Sequence, residues 1–215
     1  MNFDLLLYAI TDRAWEGMLS LEEQLEEALK AGVTLVQLRE KELDGTEFFK
    51  RAERIKRITD RYGVPLIIND NIEVAVGCDA AGVHVGQDDR SPREVRRMIG
   101  PDKILGVTAK TVEQARLAEG QGADYLGSGA VFGSQTKKDA RPMTIGMLKE
   151  ITAAVSIPVV AIGGIDRDNI HRLAGTGVAG AAVVSGIFAA EEIGQTVKVL
   201  REKAEIMTGR RGIEG

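Results

Sequence analysis

Gln37, Arg39 and Lys41 stand two residues apart around the end of an apolar run. On an extended strand their side chains leave one face while Val36 and Leu38 leave the other. An amide and two cations on one face suit an anionic ligand; the plainer alternative is a charged strand end flowing into the loop Glu40-Lys41-Glu42. Two further polar clusters follow apolar runs: Asn69-Asp70-Asn71 after Leu66-Ile67-Ile68, and Gly86-Gln87-Asp88-Asp89 after His84-Val85. Each alone would serve as a helix N-cap or a turn. Brought to one mouth, two carboxylates make either an acid/base pair or an oxygen site for a divalent cation. At ~4 Å and an effective dielectric of about 20, each carboxylate repels a phosphate charge by roughly 4 kcal/mol. Carboxylates beside a phosphorylated ligand therefore imply an intervening metal. Magnesium is the ion expected, because it takes one or two carboxylates and fills its shell with water and phosphate.

A second group of residues suits a simple phosphate. Ala161-Ile162-Gly163-Gly164-Ile165-Asp166 and Val184-Ser185-Gly186-Ile187 each follow an apolar run, and glycine lets backbone amides approach phosphate oxygens. The segment Phe132-Gly133-Ser134-Gln135-Thr136-Lys137-Lys138-Asp139 adds hydroxyls and two cations; it is long for a strand-to-helix connection and is expected to act as a closing lid. Two anion-handling regions point to two phosphorylated substrates, hence to a transferase. Other reactive side chains carry less. His84 lies inside an apolar run, where a buried neutral histidine is as good a reading as a catalytic one, and Cys78 has no basic neighbour in sequence. Trp15, Arg96 and Arg97 read as surface or packing residues, and His171, in a helical pattern, as solvent-facing.

The elements that must position these groups recur. Short apolar runs at 5–10, 33–38, 65–68, 82–85, 104–107, 123–126, 158–162 and 179–184 alternate with amphipathic stretches such as 21–31, preceded by Ser20 with Glu23 three residues on, and 46–62. Glycines at 32, 63, 122, 175 and 177 stop the helical patterns before the next run. Spread over 215 residues, eight repeats give about 27 residues each, close to the ~30 of a βα unit. This predicts a single α/β domain, a (β/α)8 TIM barrel over 1–207, with 208–215 as a flexible C-terminal tail. An open doubly wound sheet is the competitor. Polar clusters after nearly every strand favour the barrel, because an open sheet gathers ligand residues at one switch point.

Composition narrows the function classes. With 28 Lys and Arg against 32 Asp and Glu, the net charge of −4 excludes a broadly basic nucleic-acid binder. One cysteine and two histidines exclude a disulfide framework and a three-histidine zinc centre. Leu5-Leu6-Leu7 is too short for a signal sequence or membrane span, so a cytoplasmic protein without membrane or nucleic-acid partners is expected. A homo-oligomer is compatible with the sequence.

The motifs Gln37-Leu38-Arg39-Glu40-Lys41, Ile68-Asn69-Asp70, Gly82 to Asp89, Gly122-Ala123-Asp124-Tyr125, Thr136-Lys137-Lys138-Asp139 and Ala161-Ile162-Gly163-Gly164-Ile165 occur in this order. Through them the chain resembles the thiamine-phosphate synthase family from Tyr8 to about Phe188. The resemblance implies a (β/α)8 fold and the joining of 4-amino-5-hydroxymethyl-2-methylpyrimidine diphosphate to a thiazole phosphate, releasing diphosphate. It implies that Gln37, Arg39, Lys41, Asn69, Thr108 and Lys137 hold the pyrimidine diphosphate, with Arg39, Lys41, Thr108 and Lys137 catalytic. It implies that Asp70 and Asp89 bind one Mg2+, and that Ser134, Gln135, Thr136, Gly164, Val184 and Ser185 surround the thiazole phosphate. Thr108 stands where serine is usual, Ser134 where threonine is usual, and Gly133 where proline is frequent. The implied route is dissociative, which needs no protein nucleophile and agrees with the scarcity of cysteine and histidine. The rival readings are a thiazole tautomerase on the same scaffold, a non-catalytic phosphate-binding barrel, and a generic sugar-phosphate isomerase.

Overall fold

The computed structural model describes residues 3–17, 19–133 and 142–211. Among them, the strands β1 (Leu7–Ile10), β2 (Leu35–Leu38), β3 (Leu66–Asn69), β4 (Gly82–Val85), β5 (Ile104–Thr108), β6 (Tyr125–Gly129), β7 (Val159–Ile162) and β8 (Gly180–Val183) pair in sequence order, all parallel. β8 also pairs with β1, Ala181 beside Leu7 and Ala182 beside Tyr8, so the sheet closes into the barrel that the repeat predicts. Helices α1 (Leu21–Ala31), α2 (Gly45–Arg61), α3 (Ile72–Gly77), α4 (Pro92–Ile99), α5 (Val112–Gly120) and α6 (Ile145–Ala154) follow β1 to β6, and α7 (Ser185–Phe188) and α8 (Ile193–Met207) follow β8.

Period-two alternation divides the apolar residues into two bodies. Tyr8, Ile10, Leu35, Ile67, Ile104, Tyr125, Val160 and Ala182 point inward and fill the barrel. Val36, Leu38, Ile68, Val83, Val107 and Leu126 point outward, against Leu21, Leu25 and Ala28 of α1 and Phe48, Ala52 and Ile55 of α2. A closed sheet has no exposed edge, and both of its faces are buried, which is why its strands read as continuous apolar runs.

Local chemistry sets the helix ends. Ser20 Oγ accepts from Glu23 N–H at 3.3 Å while Glu23 Oε2 accepts from Ser20 N–H at 2.8 Å, the reciprocal cap expected from the sequence. Ser91 and Glu94 repeat this ahead of α4, with Pro92 opening the helix. Gly32 ends α1 at φ +112°, a conformation that a β-carbon disfavours.

Two elements differ from expectation. β6 runs to Gly129 rather than stopping at 126, because Gly127, Ser128 and Gly129 stay in register with Val160, Ala161 and Ile162 of β7. A β-carbon on Gly129 would run into the Ile162 carbonyl, so this glycine lets the two strands approach closely. Around His171 the helical pattern yields only a 3-10 turn, Ile170–Leu173, with His171 exposed on it. Asp166 Oδ1 accepts from the N–H groups of Asp168 and Asn169, and Asn169 Nδ2 donates to Gly164 O, so side chains compete for the backbone groups that a helix would use. No helix among the described residues is long and apolar enough to cross a membrane.

Candidate active site

The carboxyl ends of the strands surround a cavity of about 620 Å3, within the range of small-molecule sites. Its walls include Gln37, Arg39, Lys41, Asn69, Asp70, Asp89, Thr108, Gly164, Val184 and Ser185, all singled out in the sequence and brought together from β2, β3, β4, β5, β7 and β8. Ser134, Gln135, Thr136 and Lys137, with the expected lid, lie outside the described residues.

On the β2 side the alternation holds. Gln37, 3% exposed, turns inward and its Nε2 donates to Tyr8 Oη at 2.7 Å. Arg39 follows on the same face, anchored by its N–H to Thr11 Oγ1 at 3.1 Å, and its Nε is buried without a partner among the described residues. Glu40 turns the other way, its carboxylate 2% exposed and 3.0 Å from Arg51 and 3.7 Å from Arg13. Burial pushes the Glu40 carboxyl up, and the two guanidinium groups oppose that shift. The alternation thus sends the cations to the cavity and the carboxylate to a structural ion pair behind it.

At the ends of β3 and β4 lie the two carboxylates. Asp70 adopts φ +61°, its N–H donates to His84 O at 2.8 Å, and its Oδ2 pairs with Lys41 Nζ at 2.5 Å. Asp89 Oδ2 accepts from Gly86 N–H at 2.7 Å, tying back its own loop. Each carboxylate keeps a second oxygen outside these bonds. The donor set therefore fits a hard cation that takes one or two carboxylates and completes its shell with water and phosphate. Among the described residues no three His, Cys, Asp or Glu side chains converge, as a zinc site would need. Asp88 lines the same cavity.

The opposite wall is backbone. Gly163 and Gly164 hold φ +102° and +64°, and a β-carbon on Gly164 would meet the carbonyls of Phe132 and Gly133. Beside them Val184 and Ser185 lead into α7.

A family model described as thiamine monophosphate synthase matches residues 7–187, which spans every strand of the barrel. The chain belongs to the thiamine monophosphate synthase family. Among its relatives, a thiamine-phosphate synthase of Clostridium tetani is 50% identical over 192 residues, covering 89% of this chain and 92% of that one. Thiamine-phosphate synthase 2 of Streptococcus pneumoniae is 49% identical over 194 residues, 90% of this chain and 92% of the relative. The solved thiamine phosphate pyrophosphorylase of Pyrococcus furiosus superposes with a TM-score of 0.87 at 36% identity, covering 94% of this chain and 96% of that one. The enzyme is thus a transferase of thiamine biosynthesis, as its motifs imply.

Several cavity residues of this synthase-family barrel escaped the sequence reading. Lys110 stands two residues after Thr108, as Lys41 stands two after Arg39, so the same period would have found it. Tyr8 lines the floor, Tyr125 lies buried below it, and His84 joins them. Tyr8 and Tyr125 read as apolar strand residues because their hydroxyl partners come from other strands. Burial pushes both phenols up, so they stay protonated. Cys78 caps α3, and burial raises its thiol, which agrees with an inert side chain. Arg96 is a packing residue: it donates to the carbonyls of Gly100, Lys103 and Gly122 and pairs with Asp124.

Proposed function

We propose that the enzyme condenses 4-amino-5-hydroxymethyl-2-methylpyrimidine diphosphate with a hydroxyethylthiazole phosphate, or its carboxylated form, giving thiamine phosphate and diphosphate. The observation that carries this reading is one cavity with cations, amides and carboxylates on one wall and glycine backbone on the other. One wall suits a diphosphate with its counter-ion, the other a simple phosphate.

In this scheme Arg39, Lys41, Asn69 and Lys137 hold the diphosphate, and Gln37 and Thr108 hold the pyrimidine ring. Asp70 and Asp89 hold one magnesium ion, which when bound supplies positive charge against the departing diphosphate. Lys41 then leaves Asp70 for phosphate oxygen. The carbon–oxygen bond to diphosphate breaks with its electron pair on the leaving oxygen. The aminopyrimidine stabilises the methylene cation, and the thiazole nitrogen closes the new carbon–nitrogen bond. Gly164, Val184 and Ser185, with Ser134, Gln135 and Thr136, orient the thiazole phosphate for that attack. Ile10, Ile162 and Val184 line the cavity with apolar surface, which disfavours water that would trap the cation as an alcohol. The residues act by position and charge alone, in keeping with a cytoplasmic enzyme whose partners are two small phosphorylated substrates.

The test mixes both substrates with the protein and follows thiamine phosphate and diphosphate with and without Mg2+. Product that depends on the metal is expected. No product with any divalent cation would overturn the assignment.

A further inference from the structure

Under the cavity five polar side chains form one hydrogen-bonded row across the barrel. Gln37 Nε2 lies 2.7 Å from Tyr8 Oη, Tyr8 Oη 2.8 Å from Tyr125 Oη, Tyr125 Oη 3.0 Å from His84 Nδ1, and His84 Nε2 3.0 Å from Thr108 Oγ1. The row draws on β2, β1, β6, β4 and β5, so only the closed barrel assembles it. Two inward glycines make the space. A β-carbon on Gly106 would collide with Tyr125 and with His84 Nδ1, and one on Gly127 would stand 3.2 Å from His84 Cε1. Both phenols are fully buried and held protonated.

Each hydroxyl in the row has one proton, which imposes a direction. Gln37 Nε2 donates to Tyr8; if every proton in the row is used along it, Tyr8 donates to Tyr125 and Tyr125 to His84 Nδ1, contacts whose heavy-atom distances fit either direction. The imidazole then carries its proton on Nε2 and donates to Thr108, whose own proton stays available to a ligand. At the other end Gln37 offers its carbonyl oxygen. Both Gln37 and Thr108 line the cavity. We propose that this row commits Gln37 as acceptor and Thr108 as donor, so that the site reads the donor–acceptor edge of a 4-aminopyrimidine, with Tyr8, Tyr125 and His84 as positioning residues. The inference rests on the proposed pyrimidine substrate. The two ends are coupled: reversing the row would turn Gln37 into a donor and Thr108 into an acceptor, the pattern that suits a 4-oxo ring with a protonated ring nitrogen. With the row running in this direction, that ring sets its carbonyl oxygen against the Gln37 carbonyl oxygen, and its ring N–H meets a Thr108 hydroxyl that must turn its proton away to accept; such mismatches are discriminated in a buried site.

The first test needs no substitution. Nitrogen-15 NMR of the histidine rings in the full chain, with the His171 signal assigned through His171→Asn, should show neutral His84 protonated on Nε2; a proton on Nδ1 overturns the proposal. The second measures by calorimetry, without thiazole phosphate, the affinities for the pyrimidine diphosphate and its 4-oxo analogue. Tyr125→Phe should shrink the preference for the amino form by about tenfold, the worth of roughly one hydrogen bond, while affinity for inorganic diphosphate holds. An unchanged preference, or an equal loss of diphosphate affinity, overturns the proposal. Failure of the enzyme to make thiamine phosphate would sink the substrate reading instead, and the proton position on His84 would still report the row.

Discussion

Asp70 shows how a single residue serves site and fold differently. Its φ of +61° is one that a β-carbon makes unfavourable by about 1–2 kcal/mol, although aspartate tolerates it better than most. The twist turns the carboxylate to the cavity and onto Lys41. Glycine would adopt this backbone without penalty, so Asp70→Gly should leave the melting temperature unchanged or raised while abolishing the response to magnesium. A fall in melting temperature matching the loss of activity would mean that the residue serves the fold. Asp89→Asn should shift the magnesium titration of activity to higher concentration; an identical titration would transfer the role to Asp88, which lines the same cavity.

At the scale of elements, the loop after β7 depends on a side-chain clamp. Asn169 Nδ2 donates to Gly164 O at 2.8 Å and its Oδ1 accepts from Asp166 N–H at 3.0 Å. Asn169→Ala should therefore raise KM for the thiazole phosphate several-fold and leave KM for the pyrimidine diphosphate in place; equal effects on both would refute a local role. The helix caps carry a pH dependence. Hydrogen bonds from Ser20 backbone and side chain hold the Glu23 carboxyl below its ordinary value, and those from Ser91 do the same for Glu94. Because the folded values are lowered, the capping contribution is present above the ordinary glutamate range and is lost as pH falls through the lowered values. Denaturant midpoints should drop on acidification through that range, and the drop should shrink in a Ser20→Ala, Ser91→Ala variant. At neutral pH each of these substitutions should cost about 1 kcal/mol.

For the whole molecule, stability depends on closing the barrel between its first and last strands. A β-carbon on Gly180 would run into the Leu5 and Leu6 carbonyls next to β1. Gly180→Ala should therefore strain the closure by about 1–3 kcal/mol, which for a chain of this size lowers the melting temperature by about 2–4 °C per kcal/mol. A Gly180→Ala melting temperature equal to the parent's would show that β1 and β8 shift apart without penalty.

Fold and much of the site were legible because both depend on period. Alternation within 33–38 is enough to send Gln37 and Arg39 one way and Val36 and Leu38 the other, and the count of apolar runs is enough for a barrel. The caps at Ser20 and Ser91 and the stop at Gly32 are local chemistry, complete within a few residues. What sequence could not supply is any contact between strands remote in the chain. Tyr8 meets Tyr125 117 positions away, and His84 meets both Tyr125 and Thr108, only because closure brings β1, β4, β5 and β6 around one axis. In isolation Tyr8 and Tyr125 are apolar strand residues and His84 a core histidine. Their hydroxyls and ring nitrogens acquire direction only when water is excluded and each donor has to find its acceptor among neighbours that tertiary structure alone selects.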